Sequence, residues 1–174
     1  RAAVFWSLPR AALDQWPDTD LAAWKAEVAG FWPEMAPFLA PLATPAEMTP
    51  ARYSHGTLRR PFAARLLHIG DAAHRASPQL GQGANMALLD AMALAVALRQ
   101  GDADTAPALQ ARLRRWHVTA YQAMSAAFTP MYQSDSRTLP LLRDHVLAPL
   151  SRLPGVRGLL TALVSGDLLP PLRS

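Results

Sequence analysis

The reading of this chain turns on LLHIGDAAHRASPQLGQGAN, residues 66–85. The apolar run 65–69 predicts a short buried strand. Gly70 follows, where a missing Cβ lets the backbone turn or a ligand approach. Asp71 stands at the strand's carboxyl end, where open α/β sheets present polar groups to ligands. Its carboxylate can accept from sugar or polyol hydroxyls, with a turn or cap role as the equal alternative. Pro78 fixes the next loop, and Gly81-Gln82-Gly83-Ala84-Asn85 opens a helix. Two glycines one residue apart expose consecutive N–H groups. The helix N-terminus adds partial positive charge, which suits an anion or a developing enolate-like oxygen. A Gly-x-Gly pair alone is an ordinary turn. A strand ending in Gly-Asp with a short loop into a glycine-led helix reads as a site for a nucleotide-like cofactor.

Outward from this stretch, helices dominate. Met86, Leu89, Ala93 and Val96 share one face of a helix predicted over 84–99. Thr105 as a cap and Pro107 in the first turn introduce a second helix to about Phe128. Its predicted buried face is Leu109, Leu113, Trp116, Ala120 and Met124, and Pro130 is its stop. Upstream, residues 3–8 read as a short strand. Asp18 and Asp20 precede an amphipathic stripe of Leu21, Trp24, Val28 and Phe31. Residues 33–50 are proline-punctuated, and 53–58 read as another strand broken by Arg60-Pro61. Helical pieces follow over 139–150 and 156–164. The run 65–69 has no identifiable parallel partner, so its edges would lie open.

Composition narrows the classes. Of 174 residues, 51% are hydrophobic and only 17% charged, against roughly 25% charged in a typical globular domain. The net charge is +4, but the arginines are scattered and Lys25 is the lone lysine. No basic stripe interleaves with aromatics, which argues against nucleic-acid binding. With no Cys, disulfides, thiolate nucleophiles and Cys-based metal sites are excluded, and a reducing, cytoplasmic location fits. No run reaches the length of a membrane span, because Asp90 and Arg99 interrupt the Ala-Leu-Met segment.

The five histidines, His55, His68, His74, His117 and His145, lack metal-ligand spacing, so no metal site is assigned. His68 reads as a core residue or one packed against a neighbour, and His74 lies within the ligand loop. Asp90, on an otherwise apolar helix, calls for a hydrogen bond to a neighbouring loop, since an unpaired buried carboxylate is costly. No catalytic side chain is assigned.

GDAAH, then Pro78, then GQGAN and a helix carrying Asp90-Ala91 resembles the C-terminal FAD motif of the para-hydroxybenzoate hydroxylase-like flavoprotein monooxygenases. The resemblance covers most of 62–98. It implies that Gly70 and Asp71 are the Gly-Asp pair that approaches the ribityl chain of FAD. It places Pro78 beside the isoalloxazine ring. It sets Gly81, Gln82, Gly83, Ala84 and Asn85 in the loop whose amides meet the pyrimidine edge of the flavin. YQSDS at 132–136 and LVSGD at 163–167 are more loosely similar to helical segments of the same group, and FWSLP at 5–9 to part of its substrate-binding sheet.

The family's N-terminal GxGxxG turn, its ribose-binding acidic residue and its middle DG motif do not occur in this sequence. The expectation is therefore a C-terminal part of such an enzyme. Its fold would be α/β, a C-terminal fragment of an FAD/NAD(P)-binding Rossmann-like domain with part of a substrate-binding β-sheet, mostly helical in the portion present. Residues 1–60 would end the substrate-binding domain, and 61–174 would hold the C-terminal part of the FAD-binding domain and a helical tail. The implied function is hydroxylation of an aromatic or similar organic substrate with O2, using FAD and NADH or NADPH. The implied partners are that small molecule and the missing N-terminal portion, possibly as a separate chain. A flavin-dependent dehydrogenase, a halogenase or a non-catalytic remnant of the fold are the alternatives.

Overall fold

The computed structural model describes residues 4–165. The chain forms two compact units, residues 1–52 and 53–174.

In the first unit, helix α1 (Arg10–Asp14) is followed by a 3-10 turn at Trp16–Asp18, helix α2 (Leu21–Phe31) and the short helix α3 (Ala36–Leu39). Asp20 caps α2 by accepting from the N–H groups of Ala22 and Ala23, as its place before the first turn predicts. Trp16, Trp24, Val28, Met35 and Leu39 make the core, with Trp6 packed against it. Trp24 meets Trp16 and Trp6 edge-on, at 5.3 and 5.9 Å between ring centroids. Trp16 Nε1 donates to Pro45 O at 3.0 Å. The predicted strand at 3–8 is absent among the described residues: 4–9 form no regular secondary structure, and Ala3 lies outside them. Val4, Trp6 and Leu8 pack as single side chains against the aromatic core, and Phe5 is exposed.

The second unit is α/β in kind but mostly helical. Strand β1 (Gly56–Thr57) bridges antiparallel to Arg75 and His74. Strands β2 (Phe62–Ala63) and β3 (Leu66–Leu67) form a two-stranded antiparallel hairpin, with Phe62 opposite Leu67 and Ala63 opposite Leu66. The predicted buried strand 65–69 is thus two residues long, with Leu66 and His68 exposed. Arg65 turns the chain at φ 58°, which ends the strand on that side.

Helix α4 (Asp71–His74), a 3-10 turn at Pro78–Leu80, and the long helices α5 (Gly83–Gln100) and α6 (Ala106–Tyr132) follow. Pro130 lies inside α6 rather than stopping it. Two residues from the end, its missing N–H and ring strain only the last turn. Helices α7 (Thr138–Leu142), α8 (Ala148–Ser151) and α9 (Pro154–Ser165) complete the described chain, with a π turn at Arg143–Leu147 between the first two. Gly166 and Asp167 of the LVSGD segment lie outside the described residues.

Candidate functional site

Gly70 lies between β3 and helix α4, as the N-cap of α4. Its φ of 57° and ψ of −141° belong to a region that L side chains rarely adopt. A Cβ there would stand 3.1 Å from Ala87 Cβ. The Gly70 N–H donates to Asp90 Oδ2 at 2.8 Å. The Gly-Asp turn therefore rests directly on the helix that Gly83 begins.

Asp90 is the centre of a buried network. His74 Nε2 meets Oδ2 at 2.6 Å, and Arg114 Nε donates to Oδ1 at 2.7 Å. Asp90, Arg114 and His74 are 1%, 2% and 6% exposed. A carboxylate only accepts, so His74 Nε2 carries the proton of that bond. Burial pushes the Asp90 carboxyl up. The bonds from His74, Arg114 and the Gly70 N–H outweigh that effect and hold it below the usual carboxylate range. Arg114 Nη1 also donates to His117 Nδ1 at 2.8 Å. A guanidinium only donates, so His117 Nδ1 is the acceptor of that bond, and burial and the adjacent Arg114 charge push the His117 pKa down.

Helix α6 holds the far side of the loop. Gln122 Nε2 donates to His74 O at 2.8 Å, and Ser125 Oγ reaches Ser77 O at 3.4 Å and His55 Nε2 at 3.0 Å. Ser77 Oγ is buried with no partner among the described residues.

Asp71 begins α4 and is exposed, and Gly70, not Asp71, is the helix's N-cap. Its carboxylate makes no hydrogen bond among the described residues. Its charge, after burial, contributes to raising the Tyr121 hydroxyl's pKa. Pro78 opens the 3-10 turn, and Gly81 closes it in the left-handed region at φ 63°, ψ 16°. Gln82 is the N-cap position of α5 but makes no side-chain cap. Its Oε1 accepts from Asn85 Nδ2 at 2.9 Å instead. The N–H groups of Gly83, Ala84 and Asn85 therefore lack a backbone partner among the described residues. A Cβ built at Gly81 or Gly83 meets nothing within 4 Å. An open helix N-terminus with three free donors suits an electron-rich ring edge, and a free carboxylate at the Gly-Asp turn suits polyol hydroxyls. These donors and acceptors fit the flavin and ribityl parts of FAD.

Sequence reasoning missed Arg114, Gln110, Gln122 and Ser125. They lie on one side of α6 at helical spacing with Tyr121, where Gln110, Arg114, Tyr121 and Ser125 are buried and Gln122 is half-buried. Leu113 belongs to the buried side as expected, whereas Trp116 is 68% exposed. The signal was present: Asp90 on an apolar helix demands a cation, and Arg114 is the buried one.

The sequence profile of the FAD binding domain family matches residues 16–122, more than half of the chain. This chain belongs to the FAD binding domain family. It is a flavoprotein of the oxidoreductase class, of the type seen in aromatic-ring hydroxylases. The match corrects two expectations. The chain is not read as the C-terminal part of such an enzyme, and its fold is not a C-terminal fragment of a Rossmann-like domain. The matched domain begins at Trp16 and occupies the N-terminal and middle region of this chain, taking in the aromatic core, the hairpin, the loop, α5 and more than half of α6. The motif over 62–98 does not take in the Trp16–Trp24 packing, which lies within the same match. Comparison with curated proteins gives no match. Among the described residues no helix is long and apolar enough to cross a membrane, and no His, Cys, Asp and Glu cluster suits a metal ion.

Proposed function

We propose that this flavoprotein is an FAD-dependent monooxygenase. It would insert one oxygen atom of dioxygen into an aromatic or similar organic substrate, with NADH or NADPH as reductant. The observation that carries the site is the seating of Gly70 on Ala87 and Asp90, which fixes the Gly-Asp turn against the uncapped helix α5.

Bound FAD supplies the redox chemistry and the activation of dioxygen. Asp71 would accept from the ribityl hydroxyls. The N–H groups of Gly83, Ala84 and Asn85, with the positive end of α5 behind them, would stabilise negative charge on the pyrimidine edge of the ring. Gly81 and Gly83 would let that edge approach the backbone, Gln82 would hold Asn85 in place, and Pro78 would stiffen the loop beside the ring. No side chain is assigned as nucleophile or proton carrier.

The test is turnover of the full-length enzyme with NADH or NADPH, a panel of phenols and isotopically labelled dioxygen. One labelled oxygen atom in the product is the expected result. Substrate oxidation that proceeds without dioxygen, or reduced flavin that yields only hydrogen peroxide with every phenol tested, overturns the reading.

A further inference from the structure

We infer that Asp90 is a positioning residue for the cofactor: through Gly70 and His74 it fixes where the Asp71 carboxylate stands. The inference rests on the reading of Asp71 as a ligand of FAD.

Helix α4 has only four residues and begins with Asp71. Its N-cap is Gly70 and its last residue is His74. Both ends are tied to the same oxygen, Asp90 Oδ2, at 2.8 and 2.6 Å. Asp71 therefore cannot shift without breaking one of these bonds. The other oxygen, Oδ1, is held by Arg114 from α6 at 2.7 Å, and Gln122 on the same helix holds His74 O. An apolar residue at position 90 would continue the buried face of Met86, Ala93 and Ala97, and apolar replacements of buried ion pairs are often neutral or stabilising. Packing alone gives no reason for a carboxylate here. Two of its three charge-assisted donors flank the exposed Asp71, which makes no hydrogen bond of its own among the described residues.

A double-mutant cycle in the full-length protein tests this, with FAD affinity from flavin fluorescence and melting temperature read together. Asp71→Ala should weaken FAD binding about tenfold or more, the effect of one lost charge-assisted hydrogen bond. Asp90→Asn should weaken it by a similar factor in the native background. In the Asp71→Ala background it should change affinity by no more than about twofold, near the limit of additivity. The fall in melting temperature caused by Asp90→Asn should be equal in both backgrounds. Equal affinity loss in both backgrounds makes Asp90 a general structural residue and overturns the inference while leaving Asp71 a ligand. Unchanged affinity in Asp90→Asn overturns it likewise. Unchanged affinity in Asp71→Ala removes the ligand reading and the inference with it. Should Asp90→Asn not fold, His74→Gln takes its place in the same cycle under the same criterion.

Discussion

The first unit and the loop region are closed by opposite means. Trp16, Trp24, Val28, Met35 and Leu39 close the first with dispersion and apolar burial. Each region also holds a buried polar atom with no partner among the described residues, Trp24 Nε1 in the first and Ser77 Oγ in the loop. The loop is closed by Asp90, His74, Arg114, Gln122 and Ser125, each bonded to backbone or to one another. Apolar packing degrades gradually, because each contact is small and neighbours relax. A buried charged network fails at once when a member is removed, because the remaining charge stays unpaired. Adaptable packing suits a scaffold, and an all-or-none network suits a loop that must hold one geometry.

The largest expected effect separates the two regions directly. Arg114→Leu leaves the Asp90 carboxylate buried without its cation and should cost about 3–5 kcal/mol. Trp24→Phe puts a smaller ring in the same slot and removes an N–H that has no partner. It should cost about 1–2 kcal/mol, within the range for modest core truncations. Urea denaturation of both variants measures the difference. Equal losses break the comparison.

Acid should find the same divide. The Asp90 carboxyl is held below its ordinary value of 3.8 in the folded protein. A depressed carboxyl contributes stability that is fully present above the unfolded value and is lost as pH falls through the folded one. The stability difference between the native protein and Asp90→Asn should be constant near neutrality and shrink only below about pH 4, the unfolded carboxylate range. Asp102 and Asp144 are also held low, by hydrogen bonds from Thr105 and Arg143. Both are solvated, so salt screens their contributions. An acid titration by circular dichroism at two salt concentrations tells them apart. A difference that vanishes in high salt near neutral pH would remove Asp90 from the acid response.

These contrasts track what was legible in the sequence. The cap at Asp20, the long helix from Gly83 and the need of Asp90 for a loop partner follow from local rules, and the structure has all three. The α6 face does not follow. Apolar periodicity favoured Leu109, Trp116 and Met124. The buried face carries Gln110, Arg114, Tyr121 and Ser125 with Leu113, because loop carbonyls and a carboxylate must be satisfied there. Polar demand overrode hydrophobic pattern, and that demand comes from residues 20 to 48 positions away. The strands failed for a related reason. An apolar run such as 65–69 carries no record of its partner, and a turn at Arg65 cut it to two residues.

Two glycines sharpen the comparison between binding and stability. A Cβ at Gly83 meets open space, whereas one at Gly101 would stand 2.6 Å from Thr105 Oγ1. That hydroxyl bonds Asp102 Oδ1 at 2.8 Å in the turn between α5 and α6. Gly83→Val should leave the melting temperature nearly unchanged but weaken FAD binding about tenfold, since the branched side chain fills the approach to the free N–H groups. Gly101→Val should do the reverse and cost about 1 kcal/mol of stability by displacing Thr105. Flavin content and melting curves of the two variants decide this. Loss of flavin that merely follows melting temperature in both would remove Gly83 from the site.

The smallest effect lies in the β2–β3 turn, where strain and a surface ion pair oppose each other. Arg65 is the one non-glycine residue at positive φ among those described, at 58°. That conformation costs an ordinary L residue roughly 1–2 kcal/mol, and asparagine tolerates it better. Arg65 also faces Asp104 at 3.8 Å, with both side chains about three-quarters exposed. Such a pair is worth about 0–1 kcal/mol and is screened by salt. Arg65→Asn should therefore gain a few tenths of a kcal/mol at low salt, and slightly more at high salt, where the lost ion pair no longer counts. Melting temperatures at two ionic strengths measure it. The sign is the informative part: a loss that persists at high salt means that the turn is unstrained. The positive φ of Gly70 would then remain the backbone constraint that matters, held in place by Ala87 and Asp90 rather than by the hairpin.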